Sequence, residues 1–126
     1  MNPRPFLLPL LLVLSLACCR ENSTEITVED WRKLDVIADI AAEIQLKHGL
    51  ECQPYWKIAK GVGQIDLYAP DPSFDHAALV AEISALKSVR SSAEDIHLLF
   101  VVQGAPPNTN TLTSLGKYDA KTGKPL

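Results

Sequence analysis

Residues 26–49, Ile-Thr-Val-Glu-Asp-Trp-Arg-Lys-Leu-Asp-Val-Ile-Ala-Asp-Ile-Ala-Ala-Glu-Ile-Gln-Leu-Lys-His-Gly, decide the fold. Trp31, Leu34, Ile37, Ala38, Ala41 and Ile44 recur with a period near 3.6, which lines one face of a helix. Arg32, Lys33, Asp35, Asp39 and Glu43 take the opposite face. Thr27 is a natural N-cap, and Asp30 three residues on completes a weak capping box. Ile26 and Trp31 stand at the spacing of a hydrophobic staple across that cap. Lys47 and His48 suit the negative C-terminal end, and Gly49 is the expected stop. The helix is predicted over 28–48. An amphipathic helix of this length needs a partner layer, and the residues after it supply one.

Trp56 and Ile58 alternate with polar neighbours in 55–59, and Ile65 and Leu67 alternate again in 65–68. Gly61-Val62-Gly63 between them reads as a turn joining two short strands; one long strand with a glycine bulge is the alternative. After Ala69-Pro70-Asp71-Pro72-Ser73, either Ser73 or Asp75 can cap a second helix. Leu79, Val80, Ile83, Leu86 and Val89 form its apolar face to about residue 89. Residues 91–95 are a polar turn. Residues 96–102, Ile-His-Leu-Leu-Phe-Val-Val, are apolar on both faces apart from His97 and fit a central strand. Residues 105–110 read as a Pro-rich loop, 111–115 and 116–119 as one or two weak strands, and 121–125 as a closing turn with a frayed end. The expected fold is α+β. Two helices pack on one face of a mostly antiparallel sheet of three to five strands, in the order α-β-β-α-β-β.

Residues 1–19 belong to a different kind of sequence. Arg4 supplies a positive charge, 6–16 (FLLPLLLVLSL) is apolar, and Ser15-Leu16-Ala17 is a small-x-small cleavage site. These are the three parts of a secretory signal. The apolar run is short of the about 20 residues that span a bilayer, and it contains Pro9. Leu14-Ser15-Leu16-Ala17-Cys18-Cys19 resembles the lipobox of bacterial lipoprotein precursors. By that resemblance Cys18, with Cys19 as the alternative, becomes the first mature residue and carries lipid. No Asp follows either cysteine, which in that family implies the outer membrane, facing the periplasm. Ordinary secretion as a soluble periplasmic protein is the alternative, because Ser15-x-Ala17 also suits a plain signal peptidase. The expected organisation is a signal peptide over 1–17, a lipidated cysteine and flexible spacer over 18–25, and one α+β domain over 26–126.

The whole chain carries 15 acidic and 12 basic side chains, and loss of Arg4 with the signal makes the acidic excess one larger. No basic stripe remains to bind nucleic acid. Cys52 is the third cysteine. In an oxidising compartment it is expected to pair with Cys19 or to lie buried as a small hydrophobe. If Cys19 carries the lipid, Cys52 is a lone thiol, open to reactivity or intermolecular pairing. No cofactor is expected. His48, His76 and His97 have no metal-ligand spacing. Gly61-Val62-Gly63 lacks the third glycine and the following helix of a dinucleotide site. A nucleophile elbow is absent. Asp66 with Asp71, or Glu94 with Asp95, is as readily solvated charge as a catalytic pair.

Tyr55, Trp56, Phe74 and Tyr118 are the candidate partner-binding residues, because Tyr and Trp concentrate in binding hot spots. Core packing competes for the same side chains. Tyr55 and Trp56 are adjacent in a strand, so they point to opposite faces. The function expected is a non-enzymatic cell-envelope lipoprotein binding another protein, as an assembly accessory or an inhibitor. A small-molecule or cell-wall glycan binding module is the second reading, and an enzyme using Cys52 the third.

Overall fold

A computed structural model describes residues 25–103 and 111–126. The proposed signal, Cys18, Cys19, the rest of the spacer up to residue 24 and the whole Pro-rich loop lie outside the described residues. The elements are α1 (Val28–His48), β1 (Cys52–Lys57), β2 (Val62–Tyr68), α2 (His76–Ser84), α3 (Lys87–Arg90), β3 (Ile96–Gln103) and β4 (Leu112–Asp119). The strands form one sheet in chain order, with β1–β2 and β3–β4 antiparallel and β2–β3 parallel. The fold is α+β, with a mixed sheet. The central pair is parallel because α2 and α3 carry the chain back across the sheet between β2 and β3.

α1 is capped as its residues dictate. The Thr27 hydroxyl accepts from the Asp30 amide at 3.1 Å, and the Asp30 carboxylate accepts from the Thr27 amide at 2.9 Å. Those bonds hold the Asp30 carboxyl below its ordinary range. Gly49 ends the helix at φ 71°, and its amide donates to the Gln45 carbonyl.

α1 and the crossover helices cover one face of the sheet. Ile37, Ile40, Ala41 and Ile44 of α1 meet Ile65, Leu67, Ile96, Leu98 and Phe100 of the central strands, with Leu79, Val80 and Ile83 of α2 and Val89 of α3. Gly63 lies where α1 comes closest. A Cβ built there would sit 2.4 Å from the Ile37 Cδ1 atom. Phe100 anchors a second cluster, with ring centroids 6.4 Å from Phe74, 5.5 Å from His76 and 6.0 Å from Tyr118. His76 Nδ1 and the Tyr118 hydroxyl share a hydrogen bond of 2.7 Å, which joins the start of α2 to β4.

Several local expectations are corrected. The second helix does not reach residue 89. It stops at Ser84, and Leu86 turns to φ −65°, ψ 135° before α3 begins, which brings Val89 into the core at a new angle. Of the one or two strands expected over 111–119 there is one, β4. Its bulge opposite Phe100 and Val101 lets Gly116 lie against Phe100 without a break. The C-terminal end is held, since the Leu126 amide donates to the Lys117 carbonyl at 2.8 Å and Asp119 donates to Lys124. Trp31 does not share the burial of Ile37 and Ile44; it is 53% exposed. The first turn of α1 still meets β1, through the bond from Trp56 to Asp30, so Trp31 is exposed because it stands on the flank of the helix, away from the direction of Ile37, Ile40, Ala41 and Ile44.

Both edges of the sheet are partly blocked. On β1, Pro54 has no amide to offer, and the Cys52 amide donates to the Gln45 side chain at 3.1 Å. On β4, the C-terminal segment occupies the edge at 117–119.

Candidate functional site

The alternation that buries Ile65 and Leu67 under the helices turns Gln64, Asp66 and Tyr68 to the other face. The same argument places Gln53, Tyr55 and Lys57 of β1, His97, Leu99 and Val101 of β3, and Lys117 and Asp119 of β4 on that face. Register aligns Tyr55, Gln64, His97 and Asp119 in one row across four strands. The next row is Gln53, Asp66, Leu99 and Lys117. No described helix packs over these rows.

Two polar side chains at the centre of this face are buried. Gln64 is 5% exposed and Asp66 9%. The Gln64 amide donates to the Asp66 carboxylate at 2.7 Å, while its own oxygen, Oε1, is shut from solvent and has no partner among the described residues. A buried acceptor without a donor costs about 1–3 kcal/mol. Such groups are uncommon in folded proteins and call for a physical explanation. Val101, 4% exposed on the same face, lies outside the main core cluster. Around this buried centre stand the exposed ring of Tyr55 and the half-buried Tyr68, His97, Leu99 and Lys117. Burial, with the charge of Asp66 and Tyr68 nearby, pushes the Tyr55 hydroxyl above its ordinary pKa. Burial and the Lys117 ammonium push His97 below its usual value, against opposing pulls from Asp119 and Asp95. Near neutral pH the face thus presents a neutral phenol and a largely neutral imidazole beside a buried carboxylate.

The four candidate aromatics do not come together. Tyr55 alone lies on the helix-free face. Trp56 faces α1, where its indole N–H donates to the Asp30 carboxylate at 3.0 Å and Lys33 Nζ lies 5.1 Å from its ring centroid. Phe74 and Tyr118 pack on Phe100. Sequence reasoning passed over Gln64, His97, Lys117 and Asp119 as a group. The readable signal was the pair of polar residues alternating with Ile65 and Leu67; the register that adds His97 and Asp119 is a tertiary fact.

Cys52 is buried at the end of β1, with its thiol donating to the Leu50 carbonyl at 3.4 Å. Burial pushes its pKa up to about 11, with a smaller push from Glu51. A thiol held so high carries almost no thiolate at neutral pH and is a weak nucleophile. Asp71 accepts from the Ser73 amide at 2.9 Å within its turn and does not share the sheet face with Asp66. Among the described residues, no group of three His, Cys, Asp or Glu side chains is placed to hold a metal ion. No helix among them is long and apolar enough to cross a membrane.

The comparisons with known proteins add nothing to this geometry: no family model, no curated protein and no solved structure matches the chain.

Proposed function

We propose that this chain is a non-enzymatic cell-envelope lipoprotein, anchored through Cys18 (or Cys19) at the periplasmic face of the outer membrane, whose domain binds another protein with the helix-free face of its sheet. The observation that carries the binding reading is Gln64 Oε1, a buried acceptor without a donor, set beside the buried Asp66 and under the exposed Tyr55. A partner that seats an apolar surface on Tyr55 and Leu99 and displaces the side chains closing over Gln64 would bring an N–H donor to Oε1 and relieve that deficit. A buried aromatic anchor is worth about 2 kcal/mol or more in such contacts. The acidic Asp66 favours a partner side chain that is a cation or a neutral donor. An assembly accessory and an inhibitor both need no more than this.

The second reading, a cell-wall glycan or small-molecule module, is favoured by one feature: polar Gln64, Asp66 and His97 between Tyr55 and Tyr68 suit hydroxyl-rich ligands. Capture from native envelopes separates the two. With a crosslinker and a tagged lipidated chain, one stoichiometric protein is expected, and Tyr55→Ala is expected to reduce its recovery about tenfold or more. Recovery of glycan in place of protein would support the second reading. Equal recovery by wild type and Tyr55→Ala would remove this face from the account.

A further inference from the structure

Among the described residues, exposed apolar surface is concentrated at one place. Of the seven large apolar side chains exposed among them, Ile26, Val28 and Trp31 lie within six residues, with 52, 86 and 53% of their surface open. They sit at the N-terminal end of α1, Ile26 just before the cap at Thr27 and Val28 and Trp31 in the first turn. Ile26, Trp31 and Leu34 line a shallow depression with Trp56 and Ile58, and its volume is about 80 Å³. Small-molecule pockets run to about 300–1,000 Å³, so this one is too small to hold a ligand. It is an apolar surface.

The acidic groups beside it are largely engaged. Glu29 is paired with Arg32 one turn on. Asp30 accepts from the Thr27 amide and hydroxyl through one oxygen and from Trp56 through the other. What faces outward is two aliphatic side chains and an indole. Trp is enriched at membrane interfaces, where its ring lies among headgroups with its N–H toward water.

We propose that this end of α1 rests in the headgroup layer of the membrane that carries the chain, with Ile26, Val28 and Trp31 at the acyl boundary. This inference rests on the lipoprotein reading above. The occupant is a lipid surface because of where the patch lies on the chain. Cys18 and Cys19 stand seven and six residues before Glu25. Six or seven residues of chain reach at most about 20–25 Å. A lipid on either cysteine therefore holds the patch beside the bilayer at an effective concentration near the millimolar range, so a weak apolar contact is well populated. Entry by three apolar side chains needs no anionic lipid, which sets it apart from a basic surface seeking charge.

The test is depth-resolved quenching in proteoliposomes made with the mature lipidated chain. The protein has two tryptophans, so Trp56→Phe leaves Trp31 as reporter and Trp31→Phe leaves Trp56. Vesicles of phosphatidylcholine, with and without a quarter of phosphatidylglycerol, carry lipids brominated near the headgroup end of the acyl chain. Trp31 emission is expected to shift to the blue and to fall about twofold or more in both compositions, with Trp56 affected less. The intact mass of the same sample reports the lipid. A lipid-bearing sample in which Trp31 is unquenched and stays open to aqueous acrylamide overturns the membrane contact and leaves the tether standing. A sample whose mass is that of the bare polypeptide removes the tether and this proposal with it. Quenching that occurs only with phosphatidylglycerol overturns the apolar contact in favour of an electrostatic one.

Discussion

The two faces of one sheet have been built to different rules. Ile65, Leu67, Leu98 and Phe100 point into the helices and are fully buried in one largely aliphatic and aromatic cluster. Gln64, Asp66, His97 and Leu99, the residues between them, point the other way and mix buried polar atoms with half-open rings. The helix-covered face loses stability when disturbed, since its side chains already have their partners. On the other face an acceptor without a donor is a standing cost, so substitution there should cost binding and little stability. A core that holds the fold and a surface kept below its best stability are what a binding domain of this size is expected to combine.

The largest effect should come from the covered face. Phe100→Ala removes the ring on which Phe74, His76 and Tyr118 pack, and is expected to destabilise the domain by about 3–5 kcal/mol in urea unfolding. A loss below about 1 kcal/mol would mean that this face is not the core. Next is Gly63→Ala. The new methyl would meet the fully buried Ile37 side chain, so a loss of about 1–3 kcal/mol is expected, and Gly63→Ala with Ile37→Val should recover part of it. On the helix-free face, Gln64→Met removes the unpartnered acceptor together with the bond to Asp66. Stability is expected to change by less than about 1 kcal/mol while partner capture falls; unfolding by this variant would erase the contrast between the faces.

The smallest effect is with pH. His97 has a folded pKa below its ordinary value of 6.5, so the unfolded chain takes up its proton first as pH falls. Its contribution is complete above pH 6.5 and is lost as pH drops from there toward the lowered folded value. Unfolding midpoints at pH 7 and below 6 should therefore differ less for His97→Gln than for wild type, and an unchanged difference would place the imidazole in open solvent.

α1 was legible almost to the residue because its signals are local: Thr27, Asp30 and Gly49 act within one turn of the bonds they make. The α+β class followed from the change of period after it. The break at Ala85 was hidden because Leu86 and Val89 keep helical spacing with Ile83, and only the packing of α3 shows that the chain has turned. The parallel pairing of β2 with β3 is set by the crossover, which no short window contains. Trp31 read as core because an approximate period of 3.6 admits residues on the flank of a face as well as at its centre, where Ile37, Ile40, Ala41 and Ile44 are buried. The aromatics chosen as binding residues were separated by the same kind of fact: Tyr55 and Trp56 divide between two faces, and Phe74 and Tyr118 are drawn to Phe100. The row of Tyr55, Gln64, His97 and Asp119 spans more than sixty positions of chain and exists only in the folded register.

The most direct test of the account is site-specific photocrosslinking in intact cells. A photoreactive phenylalanine analogue replaces Tyr55 in one strain and Leu46, on the helix layer and more open to solvent (87% exposed against 41%), in another. One discrete protein adduct from position 55, and none of matching yield from position 46, is the predicted result. No adduct at 55, or the same adducts from both positions, would contradict the assignment of binding to the helix-free face.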